Sequence, residues 1–219
     1  MLYRFLAYLI IFLIFSTNLF SQKFHLILTI DNISRDIKTS CIVDGKNMEE
    51  LFEDISRHTK MELKIYRTQF NFEDIKHVIN NIHPDSNDVI WFFYSGHGYR
   101  YNRQQDNFPF LSVKGNEKLS LQYIHETLLN KNARLTVSMA DACNSFKTGA
   151  VPIENPLNTS FTTSDQYQRL FKFSYGDFIM SSSSKGEYSY CNRYGGFFTN
   201  SFIKSFANEI DQKLSLIHI

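Results

Sequence analysis

The sequence predicts an α/β fold with a mostly parallel central sheet and helices on both of its faces. Two continuous apolar segments, 23–30 and 88–94, are typical of strands that are buried on both faces. Between such segments lie stretches whose apolar residues recur at helical spacing, which is the pattern of strand–helix–strand crossovers. With 219 residues, 43% of them hydrophobic, the chain is long enough for one domain with a sizeable core.

The first half of the chain alternates strands and helices. After the first strand, the Asp44-Gly45 dipeptide predicts a loop, and residues 46–57 carry apolar side chains at the spacing of a helix. The segment 62–66 predicts a short strand. Asn71 is expected to cap the next helix, because its side chain can accept a hydrogen bond from an amide of the first turn.

The second half continues this alternation. Pro109 lacks a backbone donor, so residues 108–113 are predicted to be an edge segment. Ser120 is expected to cap a helix that runs to about residue 129. The remaining predicted elements are a strand at 134–140, a long polar loop at 144–175, a strand at 175–180 and a phenylalanine-rich helix after Gly195 and Gly196.

Residues 1–21 have the layout of a secretory signal peptide. Arg4 precedes an apolar run from 5 to 15, and small or polar residues follow. The run is shorter than the ~20 residues that span a membrane comfortably. We therefore expect an exported bacterial protein, periplasmic or secreted, with an uncleaved membrane anchor as the alternative. The folded domain is expected to occupy residues 22–213.

The last six residues, 214–219, can be encoded by the end sequence of a common sequencing transposon. We expect them to be a non-native tail on a natural protein that continues beyond about Lys213. The alternative is a short apolar strand at this position.

Charge and cysteine content argue against several classes of protein. The chain has 23 Lys and Arg against 22 Asp and Glu, which leaves no surplus for binding nucleic acid or an anionic membrane surface. Three cysteines are too few for a small disulfide framework. The histidines other than His97 show no metal-ligand spacing, so neither a metal nor another cofactor is expected. Cys41 and Cys191 can pair in an oxidising compartment or stay free.

Two side chains at predicted strand ends carry the chemistry. His97 lies between two glycines just after the strand 88–94, and Cys143 follows the strand 134–140. Because the carboxyl ends of parallel strands meet at one edge of a sheet, both can face the same site. A histidine can accept the proton of a thiol and later protonate a leaving amine. The amides of Gly98 and Cys143 can form an oxyanion hole.

Two motifs resemble the caspase signature, in which a histidine precedes the cysteine motif by about 50 residues. They are Tyr94-Ser95-Gly96-His97-Gly98 and Asp141-Ala142-Cys143-Asn144-Ser145. They look most like the caspase-like and metacaspase peptidases of bacteria, and the resemblance covers roughly residues 24–209. It implies a three-layer α/β/α sandwich and a cysteine endopeptidase with a His–Cys dyad, acting on protein or peptide substrates.

The resemblance also implies a set of substrate-binding residues. Asp141 takes the position that is aspartate in metacaspases, where it lines the pocket for the side chain before the scissile bond. An acid there favours arginine or lysine, because a buried cation needs a partner. Ser181 and Glu187 fall in a segment that forms another wall of the pocket, and Asp31 is a candidate second acid.

The sequence departs from many metacaspases after the histidine motif. Their acidic calcium-binding insertion is replaced by residues 99–106, which are net basic. Calcium needs six to eight oxygen ligands, so the sequence does not support calcium dependence. The loop 146–175 corresponds to a segment that is often self-cleaved in the family. Lys147, Arg169 and Lys172 are its candidate cleavage points.

Two other functions stay open at this stage. The His–Cys dyad is also compatible with a thiol-dependent acyl transferase. A catalytically silent caspase-fold module for binding or signalling is the alternative from a different class, and the retention of both His97 and Cys143 argues against it.

Overall fold

The computed structural model describes residues 22–115, 119–145 and 167–211. In chain order the elements are β1 (Lys23–Ile30), α1 (Lys38–Thr59), β2 (Glu62–Arg67), α2 (Phe72–Asn81), β3 (Val89–Ser95), β4 (Gly98–Tyr99), β5 (Phe110–Leu111), β6 (Leu119–Ser120), α3 (Leu121–Leu129), β7 (Leu135–Asp141), a π-helix (Gln168–Phe173), β8 (Gly176–Ser181), β9 (Cys191–Asn192), β10 (Gly195–Gly196) and α4 (Phe197–Asp211). Five parallel strands form the central sheet in the order β2-β1-β3-β7-β8. Helices flank both faces, which confirms the predicted α/β sandwich.

The two faces of the sheet carry separate cores, because successive side chains of a strand point to opposite faces. In β1, Phe24, Leu26 and Leu28 pack with α1, the π-helix and α4, whereas Ile27 packs with α2 and α3. Strands β3 and β7 are buried along their whole length. Each has a strand on both sides and helices above and below, so the sheet holds their carboxyl ends in fixed positions.

Both predicted helix caps are present. Asn71 Oδ1 accepts a hydrogen bond from Asp74 N at 2.8 Å, and Ser120 Oγ accepts one from Gln122 N at 3.1 Å. Each bond satisfies an amide of the first turn that has no partner within its helix.

Helix α1 begins at Lys38 and includes Asp44 and Gly45, so the predicted loop at these residues is wrong. Gly45 lies against β1: a Cβ there would come within 2.9 Å of Ile30 Cγ1. Glycine thus permits close packing of helix on strand, and this packing outweighs its low helix propensity. The Asp44 side chain is buried and hydrogen-bonded within the fold, unlike the exposed aspartate of an ordinary turn.

Several predictions fall on residues that the structure does not describe. They are the signal peptide at 1–21, the part of the polar loop at 146–166 that contains Lys147, and the tail at 214–219. Among the helices of the described segments, none combines the length and the apolar character needed to cross a membrane. Export and a non-native tail therefore stay predictions.

Candidate active site

The ends of β3 and β7 bring two reactive side chains to the same edge of the sheet. The two strands are parallel neighbours, and Ser95 pairs with Asp141 at their carboxyl ends. His97 and Cys143 each follow two residues later. The segment that contains His97 (the histidine segment) and the segment that contains Cys143 (the cysteine segment) continue side by side, since Gly96 N donates to Asp141 O at 3.2 Å.

Gly98 holds the backbone after His97 against the backbone of Cys143. A Cβ on Gly98 would overlap with the carbonyl oxygen of Cys143 and would come within 2.8 Å of Ala142 Cβ. A side chain at position 98 would therefore push the histidine segment away from the cysteine segment.

The amide of Gly98 is not used by the neighbouring strand. Gly98 pairs with Leu111 in the antiparallel ladder of β4 and β5, and Ser112 N donates to His97 O beside this pair at 2.9 Å. In an antiparallel pair flanked in this way, the amide of the paired residue points away from the partner strand. The Gly98 amide is therefore free of β5.

His97 is fixed through both its backbone and its ring. The hydroxyl of Tyr94 donates to His97 O at 2.6 Å, in addition to the bond from Ser112 N. At the ring, Nε2 lies 3.2 Å from each carboxylate oxygen of Asp36, a residue of the segment between β1 and α1. The side chain of His97 is 27% exposed, so the ring stays accessible while its orientation is constrained.

Cys143 presents a largely buried thiol. The residue is 9% exposed, and its Sγ accepts a hydrogen bond from Ser189 N at 3.4 Å. Burial raises the pKa of the Cys143 thiol, and the bond from Ser189 offsets part of this effect. The thiol therefore favours its neutral form and needs a base to become a good nucleophile.

One cavity connects the thiol and the imidazole to two acids. It measures about 30 Å³ and is lined by His97, Cys143, Asp44 and Asp141 among other residues. Its walls come from α1, from the ends of β3 and β7, and from the segment 189–196. A cavity of this size holds about one or two water molecules.

Asp141 is held in place by three hydrogen bonds. Its Oδ1 accepts from Ser189 Oγ at 2.7 Å, and its Oδ2 accepts from Thr199 N at 3.0 Å and from Thr199 Oγ1 at 2.7 Å. Ser189 thus contacts both Asp141 and Cys143, so one residue links the acid to the thiol.

Asp44 is the second acid of the cavity and is 1% exposed. Its Oδ2 accepts from Ser95 Oγ and its Oδ1 from Gly196 N, both at 2.7 Å. Burial raises the pKa of Asp44 well above its usual range, and the negative charge of Asp141 raises it further. The two carboxyl groups therefore resist being ionised together.

Cys41 and Cys191 line the same cavity as Cys143, and all three are free thiols. The disulfide considered from the sequence is thus not formed in the structure. Burial is the main cause that raises the pKa of Cys41 and of Cys191, as it does for Cys143. The cavity wall consequently carries neutral sulfur groups.

Three of the residues expected to bind substrate lie outside the lining of this cavity. Asp31 is buried, and its carboxylate accepts from the amides of Ile33 and Ser34, so it stabilises the turn after β1. Ser181 Oγ donates to a nearby backbone carbonyl. The exposed carboxylate of Glu187 accepts from the amide of residue 184. The position expected for Asp31, beside Asp141, is taken by Asp44.

Sequence reasoning missed Asp44 and Asp36. Asp44 lies on the buried stripe of α1 together with Cys41, Met48 and Leu51. An acid within an apolar helical stripe is the signal that could have identified it, because burial of an unpaired charge is costly. Asp36 gives no comparable signal, since it is an exposed acid outside the regular elements.

Among the described residues, no group of three or more His, Cys, Asp or Glu is arranged to hold a metal ion. The family model of the caspase domain matches residues 23–219 of the chain, a span that includes both the histidine and the cysteine motifs. A comparison with curated proteins found no match.

Proposed function

The chain belongs to the caspase-domain family of cysteine peptidases, and we propose that it is an endopeptidase that cleaves proteins or peptides after arginine or lysine. The observation that carries this proposal is the single cavity lined by a thiol, an imidazole and two carboxylates: Cys143, His97, Asp44 and Asp141. A nucleophile, a base and a binding site for a cationic side chain are thus adjacent.

The first half of the reaction forms an acyl-enzyme. Cys143 Sγ attacks the carbonyl carbon of the scissile bond and gives its proton to His97, so an S–H bond breaks while S–C and N–H bonds form. Because burial raises the pKa of the thiol, this proton transfer is needed at neutral pH. His97 then passes the proton to the leaving amine, and the C–N bond breaks.

The second half releases the product. A water molecule gives a proton to His97 and attacks the acyl carbon, and the proton returns to the sulfur as the S–C bond breaks. In both halves the carbonyl oxygen becomes negative. The amides of Gly98 and Cys143 are our candidates to bind it, and one such donor is typically worth roughly 3–4 kcal/mol. The free orientation of the Gly98 amide supports this role.

Asp141 and Asp44 support a preference for arginine or lysine before the scissile bond. Both acids are nearly inaccessible to water, so a cation that reaches them gains a strong interaction and a neutral side chain does not. A bound guanidinium also favours the ionised form of Asp44, whose pKa is raised by burial and by Asp141. Aspartate in the substrate would instead bring a third carboxyl group next to two that already resist being ionised together.

The cavity has to widen before a long basic side chain can enter, because it holds only about one or two water molecules. The segment that contains Ser189 forms one wall, and it is held there by two hydrogen bonds between the Ser189 backbone and the Cys143 thiol and by one from the Ser189 hydroxyl to Asp141. A substrate guanidinium can replace the Ser189 hydroxyl as the partner of Asp141, so this segment is the wall that we expect to move.

The test is a panel of fluorogenic peptides that differ only in the residue before the leaving group: Arg, Lys, Asp or Asn. Purified protein under reducing conditions is expected to cleave the Arg or Lys peptides with a kcat/KM at least about 10-fold above that for the others. Preference for Asp would overturn the specificity. No cleavage of any peptide by folded protein would overturn the peptidase function and favour a silent binding module.

Two cysteine variants provide the matched control. Cys143→Ala is expected to abolish turnover, whereas Cys191→Ala, which removes another thiol from the same cavity, keeps it. Equal loss in both variants would mean that the cavity has collapsed and that the nucleophile is not identified. Circular dichroism of each variant separates loss of chemistry from loss of fold.

Self-processing in the loop 146–175 is part of the proposal. Arg169 and Lys172 lie within the π-helix, whose helical backbone does not match the extended form that a peptidase cleft binds. Lys147 lies outside the described residues. Wild type and Cys143→Ala should give different fragments on a denaturing gel over time, and identical patterns would contradict self-cleavage.

A further inference from the structure

The contact between the His97 ring and the Asp36 carboxylate has a geometry that bears on the reaction. Nε2 of His97 is equally distant, at 3.2 Å, from Oδ1 and Oδ2 of Asp36. Nδ1 makes no hydrogen bond to any residue that the structure describes. One ring nitrogen is thus occupied by a carboxylate, and the other is available for Cys143 or substrate.

We propose that Asp36 is a positioning residue: it holds the imidazole proton of His97 on Nε2 and thereby presents the lone pair of Nδ1 to Cys143. This inference rests on the proposed peptidase function and deepens it, because it assigns which nitrogen acts as the base. A carboxylate can only accept hydrogen bonds, so neutral His97 in contact with Asp36 carries its proton on Nε2.

The proposed proton path follows from this assignment. The Sγ–H bond of Cys143 breaks and an Nδ1–H bond forms, which leaves His97 positively charged with Nε2–H directed at Asp36. The carboxylate stabilises this imidazolium by charge. The Nδ1–H bond then breaks as the proton moves to the leaving amine. Asp36 keeps its own charge throughout and touches no reacting atom.

A purely structural role for Asp36 is the competing explanation. Asp36 immediately precedes Ile37, the residue before α1, where a negative charge is favourable for a helix N-terminus. That effect depends on the charge at position 36 and would change the stability of the fold. It would not depend on whether the side chain there donates or accepts a hydrogen bond. Asp36→Asn is the informative variant for this reason, because it changes the hydrogen-bond chemistry at this position with little change in size.

Three substitutions at position 36 separate the two roles. Asp36→Ala is expected to lower kcat about 10-fold with little change in KM, because base catalysis contributes roughly 10²–10⁴-fold and an exposed carboxylate controls part of it. Asp36→Asn is expected to be worse than Ala, because its NH₂ group can donate to Nε2 and place the proton on Nδ1. Asp36→Glu should restore most of the activity.

Asp85→Asn is the matched control. Like Asp36, Asp85 is a largely exposed aspartate whose carboxylate contacts one basic side chain, here Lys23 at 3.5 Å. It precedes β3 and so lies at the opposite end of that strand from His97. We expect wild-type kcat and KM for this variant, which excludes a general effect of lost negative charge.

A measurement that does not depend on turnover is the ¹⁵N shift of the His97 ring in histidine-labelled protein at a pH where the ring is neutral. Wild type should show protonated Nε2, and Asp36→Asn should show a larger Nδ1-protonated fraction. Protonated Nδ1 in wild type, or kcat within twofold of wild type for both Asp36→Ala and Asp36→Asn, would overturn the inference. If wild type cleaves no peptide, the proposed function fails while the shifts still decide the role of Asp36.

Discussion

Asp44 and Asp141 come from different elements, α1 and the end of β7, yet both carboxylates contact Gly196. Gly196 N donates to Asp44 Oδ1 at 2.7 Å, and a Cβ on Gly196 would overlap with Asp141 Oδ2 and lie 3.1 Å from Asp44 Oδ2. The absence of a side chain at this position is what lets two acids share one cavity. Their mutual repulsion is a cost that a bound cation would relieve.

Asp44→Asn is predicted to weaken cleavage after arginine and lysine and to change the pH dependence of stability. Because the pKa of Asp44 is raised in the folded protein, wild type loses stability as pH rises from the unfolded value of about 4 through the folded pKa. The variant has no such proton to lose. The difference in melting temperature, variant minus wild type, should therefore be larger at pH 8 than at pH 4.

Thermal unfolding followed by circular dichroism at several pH values checks this prediction, and peptide kinetics check the specificity. A useful comparison is Asp74→Asn, which changes an acid on the first turn of α2, away from the cavity. A melting-temperature difference for Asp44→Asn that shrinks with rising pH would show that the carboxylate is stabilising in its ionised form.

The positions of the strands and helix caps could be predicted from the sequence, because each depends on a pattern of residues that are close together in the chain. The apolar runs of β1 and β3 and the caps Asn71 and Ser120 all depend on near neighbours in the chain. The edge shared by His97 and Cys143 also followed, since it needs only the rule that parallel strands end together.

The apolar stripe of α1 could have marked Asp44 as a buried acid, but its position beside Asp141 could not be predicted in the same way, because that position depends on contacts between distant residues. Asp31 directly follows a strand and looked well placed, but its carboxylate closes a local turn. Asp44 reaches the cavity only because Gly45 lets α1 pack closely on β1 and because Gly196 leaves space for the carboxylate. No local sequence pattern indicates the close packing at Gly45 or the space at Gly196.

Gly98→Ala is predicted to abolish activity while leaving most of the fold in place. The added methyl group would overlap with the carbonyl oxygen of Cys143, so the histidine segment must move away from the cysteine segment. A displacement of about 1 Å at a reacting group can cost roughly 10²-fold in rate. The measurement is kcat/KM together with the circular dichroism spectrum. Activity within about threefold of wild type would show that the two segments can separate without harm.

The thiol of Cys143 is predicted to react slowly with iodoacetamide in protein without substrate. Burial raises its pKa, so the thiolate fraction at pH 7 is below that of a free cysteine and increases only at higher pH. Mass spectrometry of the peptide that contains Cys143 measures the alkylation rate as a function of pH, with a cysteine tripeptide as reference. A midpoint below the reference value of about 8.5 would instead indicate a preformed thiolate–imidazolium pair.

Arg100 is predicted to anchor the loop that follows the histidine motif. Its guanidinium is buried and donates to Asn144 Oδ1 at 3.0 Å and to the carbonyl oxygens of Gln104 and Asp106. Arg100→Lys keeps the charge but cannot reach these separate acceptors at once. We expect it to lower stability by about 1–3 kcal/mol, since carbonyl groups lose their donors. Denaturant unfolding checks the value, with the exposed Arg103→Lys as control.

The same contacts predict that calcium changes neither stability nor turnover. Calcium binds six to eight oxygen atoms, and the backbone oxygens of Gln104 and Asp106 that face the inside of this loop already accept hydrogen bonds from Arg100. A calcium ion placed there would also lie beside a permanent positive charge. The melting temperature and kcat/KM should be equal in excess chelator and in millimolar calcium. A rise in the melting temperature or kcat/KM of wild type that depends on calcium and is not reproduced by magnesium would contradict this prediction. The same rise in Arg100→Lys would show that the ion binds outside the loop that Arg100 occupies.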